Sequence, residues 1–394
     1  MSGKRRDDKG RNLRPGESQR KDGTYDYRYT DAHGKRRSIY ASDLHTLRVK
    51  EEEIQRLTNE GIDYAGGEIS VLELLRRYIA LKRGVRRNTR TGYDFVLGVV
   101  EKEDFGMRKI RDVKMSDAKL WFIKLFDDGY SYSTIACIRG VVKPAFDMAC
   151  NEDVVRRNPF AFRLDIIPNN TRKRVALTPQ QQKAFLAFIE QDEHFSQYLN
   201  EIIVLLGTGM RVSEFCGLTL SDLDFDRRRI RVDHQLVRTA EGKRYIEKTK
   251  TECGCRFIPM SDEVYHALYG ILANRKKCKA EVMIDGYGGF LLLDKHGQPK
   301  VAMHIQQVIK RAREKYNQKN VIPLPLITPH VFRHTFCTNM ANAGMDLKSL
   351  QYLMGHSDAS VTMNVYMHNN YEQAEQAMAK VVSFTEYAKA RNQA

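Results

Sequence analysis

The stretch that decides the fold of this chain is PHVFRHTFCTNMANAGMDLKSLQYLMGHSDASVTMNVYMH, residues 329–368. Thr328 stands before a proline, a pairing that predicts a helix start, because threonine caps helices and proline suits the first helical position. Gly344 predicts the end of this helix, since glycine is favoured at helix C-termini. Asp346 then caps a second helix that ends at Gly355. The stretch therefore predicts short helices joined at glycines.

Four polar residues stand out within these helices. His330 and Arg333 are three residues apart, on one face of a helix's opening turn, where backbone N–H groups favour an anion. His356 follows the glycine that ends the second helix, and Tyr366 lies on a third short helix. Taken singly, each histidine is more often structural, and the tyrosine is more often an edge-of-core aromatic. The set as a whole indicates a phosphate site.

A second motif, GTGMRVSEF, occupies residues 207–215. Its two glycines break one helix, so that Arg211 lies at the start of the next helix, with Glu214 one turn later. Lys250 falls in or beside a tight turn between the second and third of three predicted strands. Spacing alone does not separate Lys250 from Lys248, two residues away.

These residue types fit phosphoryl transfer without a metal or other cofactor. Two arginines can hold the non-bridging oxygens of one phosphodiester and neutralise charge in the transition state. A tyrosine is a competent covalent nucleophile, and a lysine and a histidine can exchange protons with the attacking and leaving oxygens. Since no cluster of acidic residues of the kind that holds two magnesium ions lies near these motifs, a two-metal nuclease is disfavoured.

Composition indicates the partner. The 394-residue chain has a formal net charge of +16 and a pI near 9.4, which predicts binding to a polyanion, and nucleic acid in particular. The apolar runs are too short to cross a bilayer, so we expect no membrane association. The seven scattered cysteines predict reduced thiols in a cytoplasm. Cys253 and Cys255 form the one close pair, and a metal site there is the less favoured interpretation.

The chain before the catalytic motifs is divided by composition. Residues 1 to about 20 are rich in charge and glycine, and we expect them to be flexible. Residues 25–40 alternate as two strands around a turn, and a helix follows, so the sequence predicts a small DNA-binding module. Residues 71–158 are helical throughout, and a basic, proline-containing linker follows. The residues predicted to contact DNA are Lys35, Arg36, Arg37, Arg86, Arg87, Arg90, Arg139 and Lys143.

From about residue 174 the pattern is again helical, interrupted at residues 227–260 by what we predict to be one three-stranded antiparallel sheet. The expected fold class is mainly α with small β-sheets (α+β), in several domains.

The motifs GTGMRVSEF, KTKTECGCRFIPM and the opening stretch resemble the tyrosine recombinases of the lambda-integrase type, and most of all the integrases of Gram-positive conjugative transposons. The resemblance implies an arm-type DNA-binding module at 1–66 and a helical core-binding domain at 67–160. It further implies a linker at 161–173 and a catalytic domain at 174–394, with a docking tail at about 367–394. In relatives this tail docks on a neighbouring subunit, which we expect here in preference to packing on its own domain.

By the same resemblance, Arg211, Lys250, His330, Arg333 and His356 are catalytic, Tyr366 is the nucleophile, and Glu214 supports the site. The family forms a 3′-phosphotyrosyl link, which a 5′-hydroxyl of a partner strand then attacks, giving a Holliday junction. The resemblance implies excision and integration of a mobile element by a homo-tetramer on double-stranded DNA with core-type and arm-type sites. An excisionase or DNA-bending helper is a possible partner, and the expected location is the bacterial nucleoid in the cytoplasm.

Two other functions stay open at this point. A type IB topoisomerase-like nicking-closing enzyme uses similar chemistry on one duplex, although the N-terminal module and the tail favour recombination. A non-catalytic architectural DNA-binding protein would have no use for a tyrosine such as Tyr366.

Overall fold

The computed structural model describes residues 5–31, 34–59, 61, 63, 66–171, 175–239, 241–249, 252–275, 281–358, 360, 362 and 363. The chain divides into two compact units, Met1–Arg172 and Lys173–Ala394, called here the first and second units. Of the helices described in either unit, none has the length and apolar character needed to cross a membrane.

The first unit begins with a three-stranded antiparallel sheet followed by a helix. The elements are β1 (Glu17–Gln19), β2 (Tyr25–Thr30), β3 (Arg36–Ala41) and α1 (Leu44–Asn59), with β2 in the centre of the sheet. The alternation of the tyrosines places Tyr25 and Tyr27 inside, where they pack with Leu44 and Leu47 of the helix. The predicted sheet and helix are therefore present.

We expect the first 20 residues to be flexible, and the described part of them, residues 5–20, makes specific contacts. The Asp7 carboxylate accepts hydrogen bonds from the backbone and the side chain of Arg11, each at 2.7 Å, and from the Tyr25 hydroxyl at 3.0 Å. Glu17 is buried and pairs with Arg48 of α1 at 2.9 Å. The charges that suggested disorder are paired with each other and with the sheet.

The rest of the first unit is helical, as predicted. Its helices are α2 (Val71–Ala80), α3 (Arg87–Glu101), α4 (Asp104–Met107), α5 (Met115–Asp127) and α6 (Tyr132–Asn151). Ser70 and Ser131 cap α2 and α6 by accepting from the third backbone amide that follows. The buried Phe105 and Trp121 rings stack at 4.4 Å, and Phe160 covers them edge-on. These helices thus share one aromatic-rich core.

The second unit is built of seven helices and five short strands among its described residues. The helices are α7 (Pro179–Gln191), α8 (Leu199–Thr208), α9 (Val212–Gly217), α10 (Asp262–Ala273), α11 (Ala302–Lys319), α12 (Pro329–Asn342) and α13 (Leu347–Met354). Buried Phe215 of α9 and Phe332 of α12 belong to its main core. A smaller cluster around Phe336 and Leu350 joins α12 to α13.

The strands of the second unit form two sheets, so the prediction of one three-stranded sheet is wrong. The strands are β4 (Leu223–Asp224), β5 (Arg229–Val232), β6 (His234–Arg238), β7 (Arg244–Lys248) and β8 (Arg256–Pro259). The first predicted strand divides at Asp233. Its first half pairs with β4 and β8, whereas its second half forms a separate hairpin with β7. The predicted fold class, mainly α with small β-sheets, is confirmed.

Candidate active site

Arg211 is presented by a glycine break between two helices. Helix α8 ends at Gly209, which has φ +62°, and α9 begins directly after Arg211. The Glu214 carboxylate accepts from the backbone N–H of Arg211 at 2.9 Å and from its guanidinium at 2.6 Å. The Arg211 side chain remains 36% exposed, so part of the guanidinium faces solvent. The predicted break and helix start are both present, and Glu214 forms an ion pair with Arg211.

Arg333 enters the same site from α12. Thr328 caps this helix by accepting from the backbone N–H of Val331, as the sequence predicts. The Arg333 guanidinium is buried and donates to the carbonyl oxygen of Gly209 at 2.7 Å and to that of Met354. His330 lies one turn earlier on α12 and is exposed.

His356 follows the glycine that ends α13. Asp346 caps α13 as predicted, and Gly355 ends it with φ +59°. The imidazole is half-buried, with Nδ1 2.9 Å from Thr362 Oγ1. The Arg211 guanidinium donates to the carbonyl oxygen of Gly355 at 3.2 Å. Arg211, Arg333 and His356 are thus gathered at the C-terminal end of α13.

Arg256, on β8, is a site residue that the sequence analysis missed. Its fully buried guanidinium donates to both oxygens of Glu214, at 2.8 and 3.3 Å. It also donates to the carbonyl oxygens of Leu353 at 2.7 Å and Gly254 at 3.1 Å. Arg256 therefore ties the Arg211 helix, the end of α13 and the loop before β8 to one another.

The charges of this cluster shift the pKa values of its members. Burial alone would raise the pKa of Glu214, but Arg256 and then Arg211 outweigh it and hold that pKa at about 2. Burial, followed by repulsion from Arg211, lowers the pKa of Arg333 to about 9. Burial and the neighbouring arginines lower the pKa of His356 to about 4. At neutral pH the site therefore holds three guanidinium cations, one carboxylate and a neutral imidazole.

Two predicted catalytic residues, Lys250 and Tyr366, lie outside the described residues, as does the tail at 367–394. Lys248, the competing lysine, is described: it is the exposed last residue of β7. In the residue that follows, Thr249 Oγ1 lies 3.1 Å from Cys255 Sγ.

The residues predicted to contact DNA fall into two groups. Lys35, Arg36 and Arg37, at the start of β3, are exposed, as are Arg87 and Arg90 in α3, while Arg86 at its N-cap is half-buried. Arg139 and Lys143 on α6 have contacts within the first unit, and Arg37 also has one, with Asp31 at 3.0 Å. Arg139 donates to the carbonyl oxygen of Phe162 at 2.5 Å, and Lys143 pairs with Asp147 at 2.8 Å. Both have a structural role on α6, whether or not they also reach DNA.

One acidic group in the described chain has the geometry of metal ligands: Asp222, Asp233 and His234. Its atoms already have partners. Asp222 accepts from Arg231 at 2.9 Å and from Thr219, while His234 Nε2 faces the carbonyl oxygen of Gly217 at 2.7 Å and Nδ1 faces Asp233. The group therefore anchors β6 to the end of α9. The contacts just described involve none of the residues of the arginine cluster.

A cleft of about 830 Å³ also lies in the second unit, with Glu201 and Lys300 on its wall. None of the candidate catalytic residues that are described lines it. The arginine cluster is a better candidate than this cleft for a site of phosphoryl transfer, because it brings together cations that can bind a phosphate.

Comparison with known proteins identifies the family. A profile of the phage integrase family matches residues 176–373, and one of the DNA binding domain of tn916 integrase matches residues 1–58. The transposase from transposon Tn1545 of Streptococcus pneumoniae is 43% identical over 97% of each chain. The chain belongs to the phage integrase family. Recognition of the chain as a tyrosine recombinase, an enzyme that cuts and rejoins DNA, is thereby confirmed.

A second transposase and a solved integrase structure are also similar to this phage integrase family member. The transposase from transposon Tn916 of Enterococcus faecalis is 42% identical, again over 97% of each chain. A structure of the Tn1549 transposon integrase in complex with a circular intermediate DNA has 41% sequence identity and a TM-score of 0.76. It covers 79% of this chain, and all of that chain is matched. The predicted integrase function in recombination of a mobile element is confirmed at the level of this family.

Proposed function

We propose that this enzyme excises and integrates a transposon by site-specific strand exchange, with Tyr366 as nucleophile and Arg211, Lys250, His330, Arg333 and His356 as its catalytic partners. The observation that carries the assignment is the meeting of Arg211, Arg333 and His356 at the end of α13, although they are distant in sequence. A site with several cations and one internal carboxylate suits a single phosphodiester.

The two arginines have different tasks in this proposal. Arg211 keeps one side of its guanidinium on Glu214, so its exposed side can contact the non-bridging phosphate oxygens. Arg333 is buried and adds positive charge beneath the phosphate while its hydrogen bonds hold two carbonyl groups. Charge that develops on those oxygens in the transition state is thus stabilised by groups already in position.

The reaction is a pair of transesterifications. The Tyr366 oxygen attacks phosphorus, forming a 3′-phosphotyrosyl bond, while the bond to the 5′-oxygen breaks and that oxygen takes a proton from Lys250. The 5′-hydroxyl of the partner strand then attacks the phosphotyrosyl link and the phenol leaves. His356 is neutral at pH 7, so its imidazole can accept the phenol proton or donate a hydrogen bond. His330, which is exposed on α12, is proposed to contact the phosphate.

The choice of lysine has a direct test. Lys250→Ala and Lys248→Ala are compared on a normal substrate and on one whose 5′-bridging oxygen is replaced by sulfur. A thiolate leaves without protonation, so loss of the general acid slows cleavage of the normal ester and leaves the sulfur substrate fast. We expect this pattern for Lys250→Ala alone. The same pattern in Lys248→Ala would transfer the role to Lys248.

The domain division is proposed as 1–66 for arm-site binding, 67–160 for core-site binding, 161–173 as linker and 174–394 for catalysis with the tail. It is supported by separate hydrophobic clusters around Tyr25 and Leu47, around Trp121 and Phe160, and in the second unit. We propose that exposed Lys35, Arg36 and Arg37 contact arm-type DNA. Their loss should reduce the salt dependence of binding to that site by about one unit of slope per lost phosphate contact.

The proposed working state is a homo-tetramer on two duplexes. Exchange of two duplexes requires four strand cuts, and each chain contributes one Tyr366, so four chains are needed. The tail at about 367–394 is proposed to dock on a neighbouring subunit, and an excisionase or DNA-bending helper to set the direction. The reaction takes place on DNA in the bacterial nucleoid.

The central experiment uses a nicked suicide half-site, in which the cleaved end diffuses away and traps the covalent complex. Wild type should form an SDS-stable protein–DNA adduct, and Tyr366→Phe should bind the DNA but form none. Arg211→Lys should also bind the DNA normally, but it should cleave poorly, because an ammonium group cannot make the bidentate contact of a guanidinium. An adduct formed by Tyr366→Phe would overturn the assignment of the nucleophile. Equal cleavage by Arg211→Lys and wild type would overturn the role of Arg211.

A further inference from the structure

Two exposed thiols, Cys253 and Cys255, lie on the loop between β7 and β8. Reduced thiols at the surface are those that a dissolved oxidant or disulfide can reach. Among the other described cysteines, Cys137 on α6 is also exposed, whereas Cys216 and Cys337 are buried. Burial raises the pKa of both, to about 11 for Cys337, which keeps these thiols protonated and unreactive. Among the described cysteines of the second unit, the exposed thiols are therefore those of this loop.

One side of the loop contacts Thr249, the residue that follows β7. Thr249 Oγ1 and Cys255 Sγ share a hydrogen bond of 3.1 Å. The next residue back, Gly254, is packed so closely that an added Cβ would lie 2.5 Å from the Cβ of Thr249. Thr249 and Cys255, which lie on either side of Lys250 in the sequence, are therefore held close together. A group attached to Cys255 Sγ must break this hydrogen bond and displace Thr249.

The other side of the loop is packed on the candidate active site. A Cβ added at Gly355 would lie 3.2 Å from the carbonyl oxygen of Cys253. The carbonyl oxygen of Gly254 accepts a hydrogen bond from Arg256 at 3.1 Å. Because Gly355 directly precedes His356, a shift of the loop is transmitted to the backbone that carries this histidine.

We propose that Cys253 and Cys255 form a site of reversible thiol–disulfide exchange with low-molecular-weight disulfides, and that an adduct there stops DNA cleavage by displacing this loop from Gly355 and Arg256, and with it the backbone that carries His356. The proposal rests on the proposed function for its effect on cleavage, and on exposure of the two thiols for the modification itself. It makes strand exchange sensitive to the thiol status of the cell.

The chemistry is balanced without a further oxidant. A cysteine thiolate attacks one sulfur of R–S–S–R, a new protein S–S bond forms, and the second sulfur leaves as R–S⁻, which takes the proton that the cysteine lost. A free thiol in excess reverses the reaction by the same route. The test reagent is oxidised glutathione at pH 8, where an ordinary thiol is partly ionised.

The experiment compares three full-length proteins: wild type, Cys253→Ser/Cys255→Ser, and Cys137→Ser as the matched control with a different exposed thiol removed. Peptide mass spectrometry locates the adducts without DNA, and the suicide half-site measures cleavage. After treatment, wild type and Cys137→Ser should cleave at least tenfold more slowly, and dithiothreitol should restore the rate. The double variant should cleave at the untreated rate, since serine retains a hydroxyl that can bond to Thr249.

The outcomes separate the two proposals. If no adduct forms at Cys253 or Cys255, or if an adduct there leaves cleavage unchanged, the thiol proposal is overturned. It is overturned as well if the double variant is inhibited as strongly as wild type. A second reagent, methyl methanethiosulfonate, adds only a neutral S–CH₃ group. It should inhibit equally. Inhibition by glutathione alone would overturn displacement of the loop as the cause and indicate charge repulsion instead. If untreated wild type forms no covalent adduct with DNA, the proposed function is contradicted. Peptide mass spectrometry still shows in that case whether Cys253 or Cys255 is modified.

Discussion

Replacing Arg256 with alanine should destabilise the second unit strongly, because its guanidinium is fully buried among hydrogen-bond acceptors. The change removes two hydrogen bonds to the Glu214 carboxylate and one each to the carbonyl oxygens of Leu353 and Gly254. Glu214 would stay buried with Arg211 as its remaining close cation. The variant therefore leaves a buried charge and two buried acceptors without their donor.

The expected magnitude follows from the charge of Glu214. Its pKa of about 2, against an ordinary 4.5, corresponds to about 3 kcal/mol in favour of the ionised form in the folded protein. Removing one partner from a buried ion pair commonly costs about 3–5 kcal/mol. Because Arg211 retains part of the attraction, we expect the free energy of unfolding of the second unit to fall by about 3 kcal/mol at pH 7.

The pH dependence has a definite sign. A carboxyl group whose pKa is lower in the folded state contributes stability that is present above its unfolded pKa and is lost as the pH falls through its folded pKa. For Glu214 this window runs from about 4.5 down to about 2. The difference in stability between wild type and Arg256→Ala should therefore be largest near pH 7 and shrink below about pH 4.5.

The assay is urea unfolding of the full-length chain, followed by two signals. The protein has one tryptophan, Trp121, which is buried in the first unit, so its fluorescence reports that unit alone. Far-ultraviolet circular dichroism reports the helices of both units. Arg256→Ala should move the dichroism transition of the second unit and leave the fluorescence transition in place.

The matched control is Arg229→Ala, on the strand that pairs with β8. Arg229 is part of a partly exposed ion pair with Asp224 at 2.9 Å, and such pairs contribute about 0–1 kcal/mol. Arg256→Lys should recover part of the loss, because it restores the charge but not the full set of hydrogen bonds. The reasoning is refuted if Arg229→Ala and Arg256→Ala cost the same, or if the Arg256→Ala penalty is unchanged at pH 3.

Three further predictions concern packing and protonation. Gly209→Ala places a Cβ 2.4 Å from an aromatic carbon, at a residue with φ +62°, and should lower the free energy of unfolding followed by dichroism by about 2–4 kcal/mol. Gly344→Ala, where a Cβ meets open space, should lower it by about 1 kcal/mol. Equal losses for the two variants would contradict the steric argument. Phe160→Ala should lower the stability reported by Trp121 fluorescence by about 3–5 kcal/mol, and an unmoved transition would show that Phe160 is not part of that core. The pKa of His356, about 4, lies below the ordinary 6.5, so its contribution to stability is lost as the pH falls from about 6.5 towards 4; an NMR titration with a midpoint at or above 6.5 would contradict this.

Helix ends were predictable because their signals are local. The Thr328 cap, the Asp346 cap and the stop at Gly355 each depend on a few neighbouring residues, and each is present in the structure. The same local signals placed Arg211 and His356 directly beside glycine breaks. Their meeting in space was implied by the family resemblance and not by any spacing along the chain.

Strand pairing was harder to predict. The segment from Arg229 to Arg238 alternates throughout, but alternation does not say which later strand each half will join. The division at Asp233 depends on contacts distant in sequence, such as that of His234 with the carbonyl oxygen of Gly217. Two sheets were therefore mistaken for one.

Arg256 had a signal that the sequence analysis did not use. In the strand RFIP, alternation puts Arg256 on the same inward face as Ile258. A charge on an inward face needs a buried partner, which predicts an acidic residue nearby in space. The partner is Glu214, 42 residues away, and sequence alone does not name it.

The hydrogen bond from Arg333 to the carbonyl oxygen of Gly209 has a consequence for how variants of this enzyme combine. Gly209 lies two residues before Arg211, so the hydrogen bond from Arg333 stabilises the bend that orients Arg211. Removing Arg333 also loosens Arg211, and the two substitutions then damage overlapping parts of the same arrangement. The energetic effects of residues that share a contact do not add. A variant with both arginines substituted should therefore lose less activity than the sum of the two single losses, in free-energy terms. The cleavage rate of either single variant then reflects the loss of both arginines' contributions and not of one alone.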